Sequence, residues 1–337
     1  MKQTRNNAIL YIYAAVLLLL AATAAHAQTV DGWMDGYYAY NNAHPDSQLN
    51  FYPGIGTTGE RTDQLALNVG ALEIAHDPKP FGFHLTLVAG DSADVVHAGE
   101  PQHRHHPVRN VYQASVTYDA KVVQLEAGVY PSHIGFEGFF SKDNWNYTRG
   151  WLAELSPYYQ SGIKISRAIN SHWSAQVHVL RGWQNISDSH APTAIGTQIA
   201  YGDARLSASF NTYLDPHRKF GDLVATYKAT PKLSLGASID RGRQLPANWL
   251  GLATYARYAI DDRNAVAFRA ERFRDPDAGI SSFTQTLSEE TLTYEVRARK
   301  HLILKFEGRR DHSTAPVFNN SMDQTLAIAS AVVTFGS

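Results

Sequence analysis

The sequence predicts an all-β protein: a closed antiparallel transmembrane β-barrel of about 16 strands, with short turns at one end and long loops at the other. Three observations predict it. Apolar and polar residues alternate with period two along most of the chain. Short and long connections take turns between the alternating segments. The composition, 44% hydrophobic and 18% charged with a mean hydropathy of -0.30, suits strands that show lipid only one apolar face.

Composition also excludes several classes. The 337 residues carry 30 Lys+Arg against 31 Asp+Glu, a formal charge of -1, so no basic excess exists to neutralise phosphates and no nucleic-acid partner is expected. Without Cys there is no disulfide framework, thiolate metal site or thiol nucleophile. The 14 Phe, 18 Tyr and 6 Trp are too many for a disordered chain. One apolar run, Ala8 to Ala25, is long enough to span a membrane as a helix, but its flanks read differently. Lys2 and Arg5 make a positive start, Val16 to Leu20 an apolar centre, and Ala25-His26-Ala27 an A-x-A cleavage site. Residues 1–27 are therefore expected to be a cleaved signal peptide, and 28–337 a single barrel domain.

The strands follow in order. Expected segments are 33–41, 64–76, 81–92, 110–118, 122–131, 158–168, 173–184, 194–201, 204–213, 220–229, 232–241, 249–260, 264–273, 286–299, 301–310 and 324–335. In the third, Phe81, Phe83, Leu85 and Leu87 alternate with Gly82, His84, Thr86 and Val88. In the fifth, Val123, Leu125, Ala127 and Val129 alternate with Gln124, Glu126, Gly128 and Tyr130. The eleventh sets Leu233, Leu235, Ala237 and Ile239 against Ser234, Gly236, Ser238 and Asp240, and the fourteenth sets Leu292, Tyr294 and Val296 against Thr293, Glu295 and Arg297. Sixteen strands in the 310 residues left after cleavage allow about 19 residues per strand and connection, which suits a barrel.

Tight connections fall at 77–80, 119–121, 169–172, 202–203, 230–231, 261–263 and 300, all rich in turn-forming residues. Longer ones, of roughly six to 26 residues, fall between them at 42–63, 93–109, 132–157, 185–193, 214–219, 242–248, 274–285 and 311–323. Lipid offers no partner to an unpaired strand edge, so such a sheet must close. The asymmetry is that of a bacterial outer-membrane barrel, with periplasmic turns, extracellular loops and, for an even strand number, both termini in the periplasm. Tyr37, Tyr38, Tyr40, Trp183, Trp249, Tyr255, Tyr258, Tyr294 and Phe335, near strand ends, are expected at the lipid headgroups.

Several blocks, in their order, resemble the β-barrel porin 2, OmpL-like family of Gram-negative outer-membrane proteins. They are Gly36-Tyr37-Tyr38-Ala39-Tyr40-Asn41, Leu67-Asn68 with Leu72-Glu73, Pro80-Phe81-Gly82-Phe83, and Ala127-Gly128 through Ile134-Gly135-Phe136-Glu137. Asn144-Trp145-Asn146-Tyr147-Thr148-Arg149, Pro157 with Ser161-Gly162-Ile163, and Gly182-Trp183 continue the series. The resemblance implies a pore-forming barrel for small hydrophilic solutes, surrounded by outer-membrane lipids. The chain departs from the usual terminal aromatic, because Gly336 and Ser337 follow Phe335.

In a pore the working side chains are the inward polar ones. Alternation places His84, Glu126, Lys164, Arg205, Asp222, Arg269, Glu271, Arg297, Arg299, Lys305 and Glu307 on that face. Mixed charges there either set a transverse field for solutes or pair with one another across strands. The longest connection, 132–157, holds Phe139, Phe140, Trp145 and Trp151 among its charges; it is expected either to fold inward, with Glu137 and Arg149 near a constriction, or to cover the barrel mouth. His103, His105 and His106 are weak metal candidates in an external loop, and no specific metal or cofactor is expected. The alternatives to a passive porin are a barrel hydrolase, for which His172-Trp173-Ser174 and Ser187-Asp188-Ser189-His190 supply residue types without a signature, and a non-conducting structural or adhesive barrel. Either a monomer or a homo-oligomer fits the sequence.

Overall fold

The computed structural model describes residues 28–51, 55–100, 107–188 and 190–336. Sixteen antiparallel strands form one closed barrel in which each pairs with its chain neighbours. The first eight are β1 (Thr29–Asn41), β2 (Leu65–His76), β3 (Phe81–Ala89), β4 (Val111–Asp119), β5 (Gln124–Pro131), β6 (Tyr159–Ala168), β7 (Trp173–Arg181) and β8 (Thr193–Gly202). The second eight are β9 (Leu206–Leu214), β10 (Arg218–Lys228), β11 (Leu233–Gln244), β12 (Ala247–Ala259), β13 (Asn264–Asp275), β14 (Gln285–Arg299), β15 (Leu302–Ser313) and β16 (Asp323–Phe335). Closure is made by β1 on β16, in a register that pairs Trp33 with Thr334 and Tyr37 with Ser330. No edge is left for another chain to extend.

Alternation sorts the side chains as lipid and water require. Ile163, Val177, Ile199, Phe210, Leu223 and Phe306 point outward and are exposed, while Asp222, Arg269, Lys305 and Arg309 on the opposite face are buried. A soluble protein would reverse that distribution; a bilayer demands it. The residues expected in the headgroup belts divide by parity. Tyr38, Tyr40, Tyr258, Tyr294 and Phe335 lie outward, whereas Tyr37, Trp249 and Tyr255 are buried inside. Trp183 packs edge-on against Tyr213 and Phe220 beneath the loops.

Two expected long connections are short. Residues 214–219 reduce to a turn at Asp215 to His217, and 242–248 to one at Leu245-Pro246, because the polar ends of β9 to β12 continue the ladder beyond the apolar band. Strand β3 conversely stops at Ala89, and Gly90 leads into the helix α1 (Asp91–Val96). A second short helix, α2 (Trp151–Glu154), lies within the longest connection. The expected signal peptide falls on residues 1–27, outside the described residues.

Candidate functional site

The interior of the barrel is the site, and the connection between β5 and β6 dominates it. Residues 132–158 enter the lumen and bond to the wall on several sides. Gly135 N donates to Asp222 of β10 at 2.8 Å, and His133 Nε2 lies 3.0 Å from the carbonyl of Thr212 in β9. Phe136 stacks on Tyr255 of β12, with ring centroids 4.0 Å apart. Asn146 donates to Thr293 of β14, and Tyr147 N and Thr148 N donate to Glu307 of β15 at 2.6 and 3.0 Å. Tyr147 OH and Ser141 Oγ both donate to Asp35 of β1.

Two guanidinium groups and one ammonium hold this segment. Arg269, fully buried, donates to Glu137 at 2.6 Å, to Glu289 through Nε and Nη2 at 2.8 and 3.1 Å, and to the carbonyl of Thr148 at 2.6 Å. Such forked, charge-assisted bonds are the strong kind. Arg309 donates to Asp311 and to the Arg149 carbonyl, while Lys305 Nζ donates to the carbonyls of Ser141 and Asn144 at 2.7 and 2.6 Å. At α2, Trp151 N donates to Glu271 and its indole donates to Asp311. The residue before it is Gly150, where an added Cβ would lie 2.1 Å from the Glu271 carboxylate and force that side chain to move.

Other loops lock onto the first. Glu154 accepts bonds from Gly56 N, Thr57 N, Thr57 Oγ1 and Tyr158 OH, which fixes the β1–β2 loop on α2. Arg61 forks onto Asp91 at 2.7 and 3.0 Å, joining that loop to α1. Glu100 accepts from Tyr159 OH, Ile186 N and Ser187, joining the β3–β4 and β7–β8 loops. Burial and the neighbouring Asp91 push the Glu60 carboxyl up to about 7, despite Arg61. Burial likewise lowers the His133 imidazole from its usual range.

The residues expected on the inner face are distributed as follows. Asp222, Arg269, Glu271, Lys305 and Glu307 are buried where the 132–158 segment meets the wall. Glu126 and Lys164 form an ion pair across β5 and β6, and His84 stands between Ala75 and Ser115 on β3. Arg297 pairs with Glu295 near the turn end and is half exposed. Arg205 is not on the wall: β9 begins at Leu206, and Arg205 is an exposed turn residue whose amide is held by Asp203. Arg299 also leaves the row, because a register shift between Arg297 and Arg299 puts it exposed at the rim opposite Leu302. Glu137 meets Arg269; Arg149 instead donates to the Glu137 and Ala153 carbonyls and lies over the Tyr158 ring.

Asp35, Glu289, Arg309 and Asp311 were not anticipated. Glu289 shares the parity of Arg297, and Arg309 and Asp311 share that of Lys305, so extending each row by two or more positions finds them. Asp35 shares the inward parity of Tyr37 and Asn41, but parity does not show its contacts with Ser141 and Tyr147. The hydrolase residue types are dispersed. His172 bonds to the Gly202 carbonyl in a short turn, while Ser187 bonds to Glu100 at the other end of β7. His103, His105 and His106 lie outside the described residues. His97 is buried, with its nitrogens 2.8 and 3.0 Å from the carbonyls of Ala93 and Val111.

Comparison with solved structures gives the same architecture at low identity. An anion-selective porin from Comamonas acidovorans aligns with a TM-score of 0.63 and 14% identity over 92% of this chain and 99% of its own. OprB of Pseudomonas putida at high pH aligns at 0.62 and 14%, covering 92% and 94%. The outer-membrane channel DcaP of Acinetobacter baumannii aligns at 0.59 and 10%, covering 91% and 97%. No curated protein matches by sequence. The model of one family, described as "Putative beta-barrel porin-2, OmpL-like", matches residues 28–335, the span that builds the barrel and its inner segment. The chain therefore belongs to that family of outer-membrane porins.

Proposed function

We propose that the protein is a passive diffusion channel for small hydrophilic solutes, with the 132–158 segment as its constriction. The observation that carries this reading is the seat of that segment: main-chain and side-chain groups bonded to Asp222, Arg269, Glu271, Lys305 and Glu307, which narrows the lumen. Towards the turn end the inner wall keeps partly exposed polar side chains, among them Lys164, Ser166, Gln176, Gln198 and Ser209. A cavity of about 310 Å³ lies there beneath the segment, lined by Asp31, Trp33, Glu73, Lys142, Asp143 and His301. Mixed acids and bases suit hydrated, dipolar solutes, and no chemical step is needed for the solute to pass. Export would follow cleavage after Ala27, as the A-x-A pattern directs.

One observation favours a second reading, a closed barrel: Phe51, Tyr147, Trp151, Leu152 and Phe318 form an apolar cluster across the loop-side half. Single-channel recording of the refolded barrel separates the two. Discrete steps in the wild type, and larger ones after deletion of 138–148, are the expected result. Unchanged conductance on deletion would remove the constriction. A silent wild type that conducts after deletion would establish the closed reading.

A further inference from the structure

On the outer face, the loop-side ends of β10 to β13 carry cations that the chain itself does not neutralise. Lys219, Arg241, Arg243, Arg272 and Arg274 all point outward and are exposed. Lys219 stands directly opposite Arg243 in the β10–β11 register, and Arg241 and Arg274 flank Leu250 from either side. Like charges opposed across a sheet are destabilising, so the arrangement calls for an anion. Among the described residues none of these five side chains has an ion pair or hydrogen bond. The nearest acids on this face are committed or offset: Asp277 accepts from Asn248 N, and Glu290 stands opposite Arg310.

The surroundings specify what the anion is attached to. With strands about 4.8 Å apart, Arg241 and Arg274 on either side of β12 are about 10 Å apart at the backbone, close enough for both guanidinium groups to reach one phosphate. A cavity of about 390 Å³ lies between them, lined by Arg241, Asn248, Trp249, Leu250, Arg274 and Pro276. Immediately below, Leu223, Ile239 and Leu252 form a continuous exposed apolar row. Cations above an apolar strip match a phosphate headgroup above acyl chains, and arginine stems lie readily along such a surface.

We propose that this patch binds an anionic, phosphorylated lipid of the outer leaflet, its phosphate clasped by Arg241 and Arg274 and its chains on Ile239, Leu250 and Leu252. The proposal rests on the barrel's standing in a bilayer with its long loops outward. Its test uses the full barrel in detergent and native mass spectrometry. The probes are lipid A, a diphosphorylated acylated disaccharide, and phosphatidylcholine. Wild type is expected to prefer lipid A at least ten-fold. The double variant Arg241→Gln, Arg274→Gln is expected to lose that preference, and Arg205→Gln, at the opposite end, to keep it. Equimolar inorganic phosphate is expected to displace nothing.

Equal retention by wild type and the double variant, or displacement by phosphate alone, overturns the proposal. So does a double variant that changes only oligomeric state, which would assign the patch to a second copy of the chain. Conductance read on the same samples keeps the two readings apart. A silent wild type with an intact lipid preference sinks the channel alone, and a conducting barrel without that preference sinks the lipid site alone.

Discussion

Arg269 shows how a single side chain can organise a lumen. It is buried between Glu137 of the inner segment and Glu289 of the wall, so its removal leaves two carboxylates facing each other without their cation. Arg269→Met is expected to cost about 3–5 kcal/mol, the usual penalty for breaking a buried pair. Glu137→Gln, which keeps Glu289 in place, should cost less, on the order of 1.5–3 kcal/mol. Urea unfolding in detergent ranks the two, and a cost near zero for Glu137→Gln would show that Glu289 alone holds the arginine. Gly150→Ala acts through shape instead: the new methyl displaces the Glu271 carboxylate that receives Trp151 N, and single-channel current should become noisier or larger.

Glu60 adds a pH dependence of determinable sign. Its folded-state pKa is about 7, against 4.5 for the free side chain, because burial and Asp91 oppose ionisation. The folded loop therefore holds a proton that the unfolded loop has released. Stability is greatest below 4.5, falls as pH rises, and carries the full penalty above about 7. Protease cleavage of the β1–β2 loop should be faster at pH 8 than at pH 5 in wild type. In Glu60→Gln the two rates should agree; a persistent difference would place the dependence elsewhere.

Among the elements, strands were legible in the sequence and loops were not. Alternation is a local property, and it located all sixteen strands because lipid and water act on every residue of the wall. It failed where that force ends: at β9 to β12, whose polar tips continue the ladder above the apolar band, and at β3, which gives way to α1. Inward parity identified Asp222, Arg269, Lys305 and Glu307, but it could not reveal that each meets a backbone or side-chain group of the 132–158 segment. Such contacts join positions far apart in sequence and leave no periodic trace. Asp35, whose partners are Asn68, Ser141 and Tyr147, is the clearest case.

For the whole molecule, closure depends on the first and last strands. Phe335 lies opposite Gly32 and covers it so closely that a Cβ there would fall 2.1 Å from the ring. An aromatic laid over a cross-strand glycine supplies the packing that the glycine lacks. Gly32→Val and Phe335→Ala should therefore both raise the fraction that migrates as unfolded on an unheated gel. A normal folded fraction in both would mean that the β1–β16 ladder closes without this contact.

The seat of the inner segment also dictates an order of assembly. Tyr147 bonds to Glu307 and Trp151 to Asp311, partners 160 residues further along the chain. Until those acceptors stand in the wall, the segment lacks these bonds. It can settle only after β13, β14 and β15 are in place. A settled segment is thus a completion mark for the whole wall, and its resistance to protease should appear last in a refolding time course.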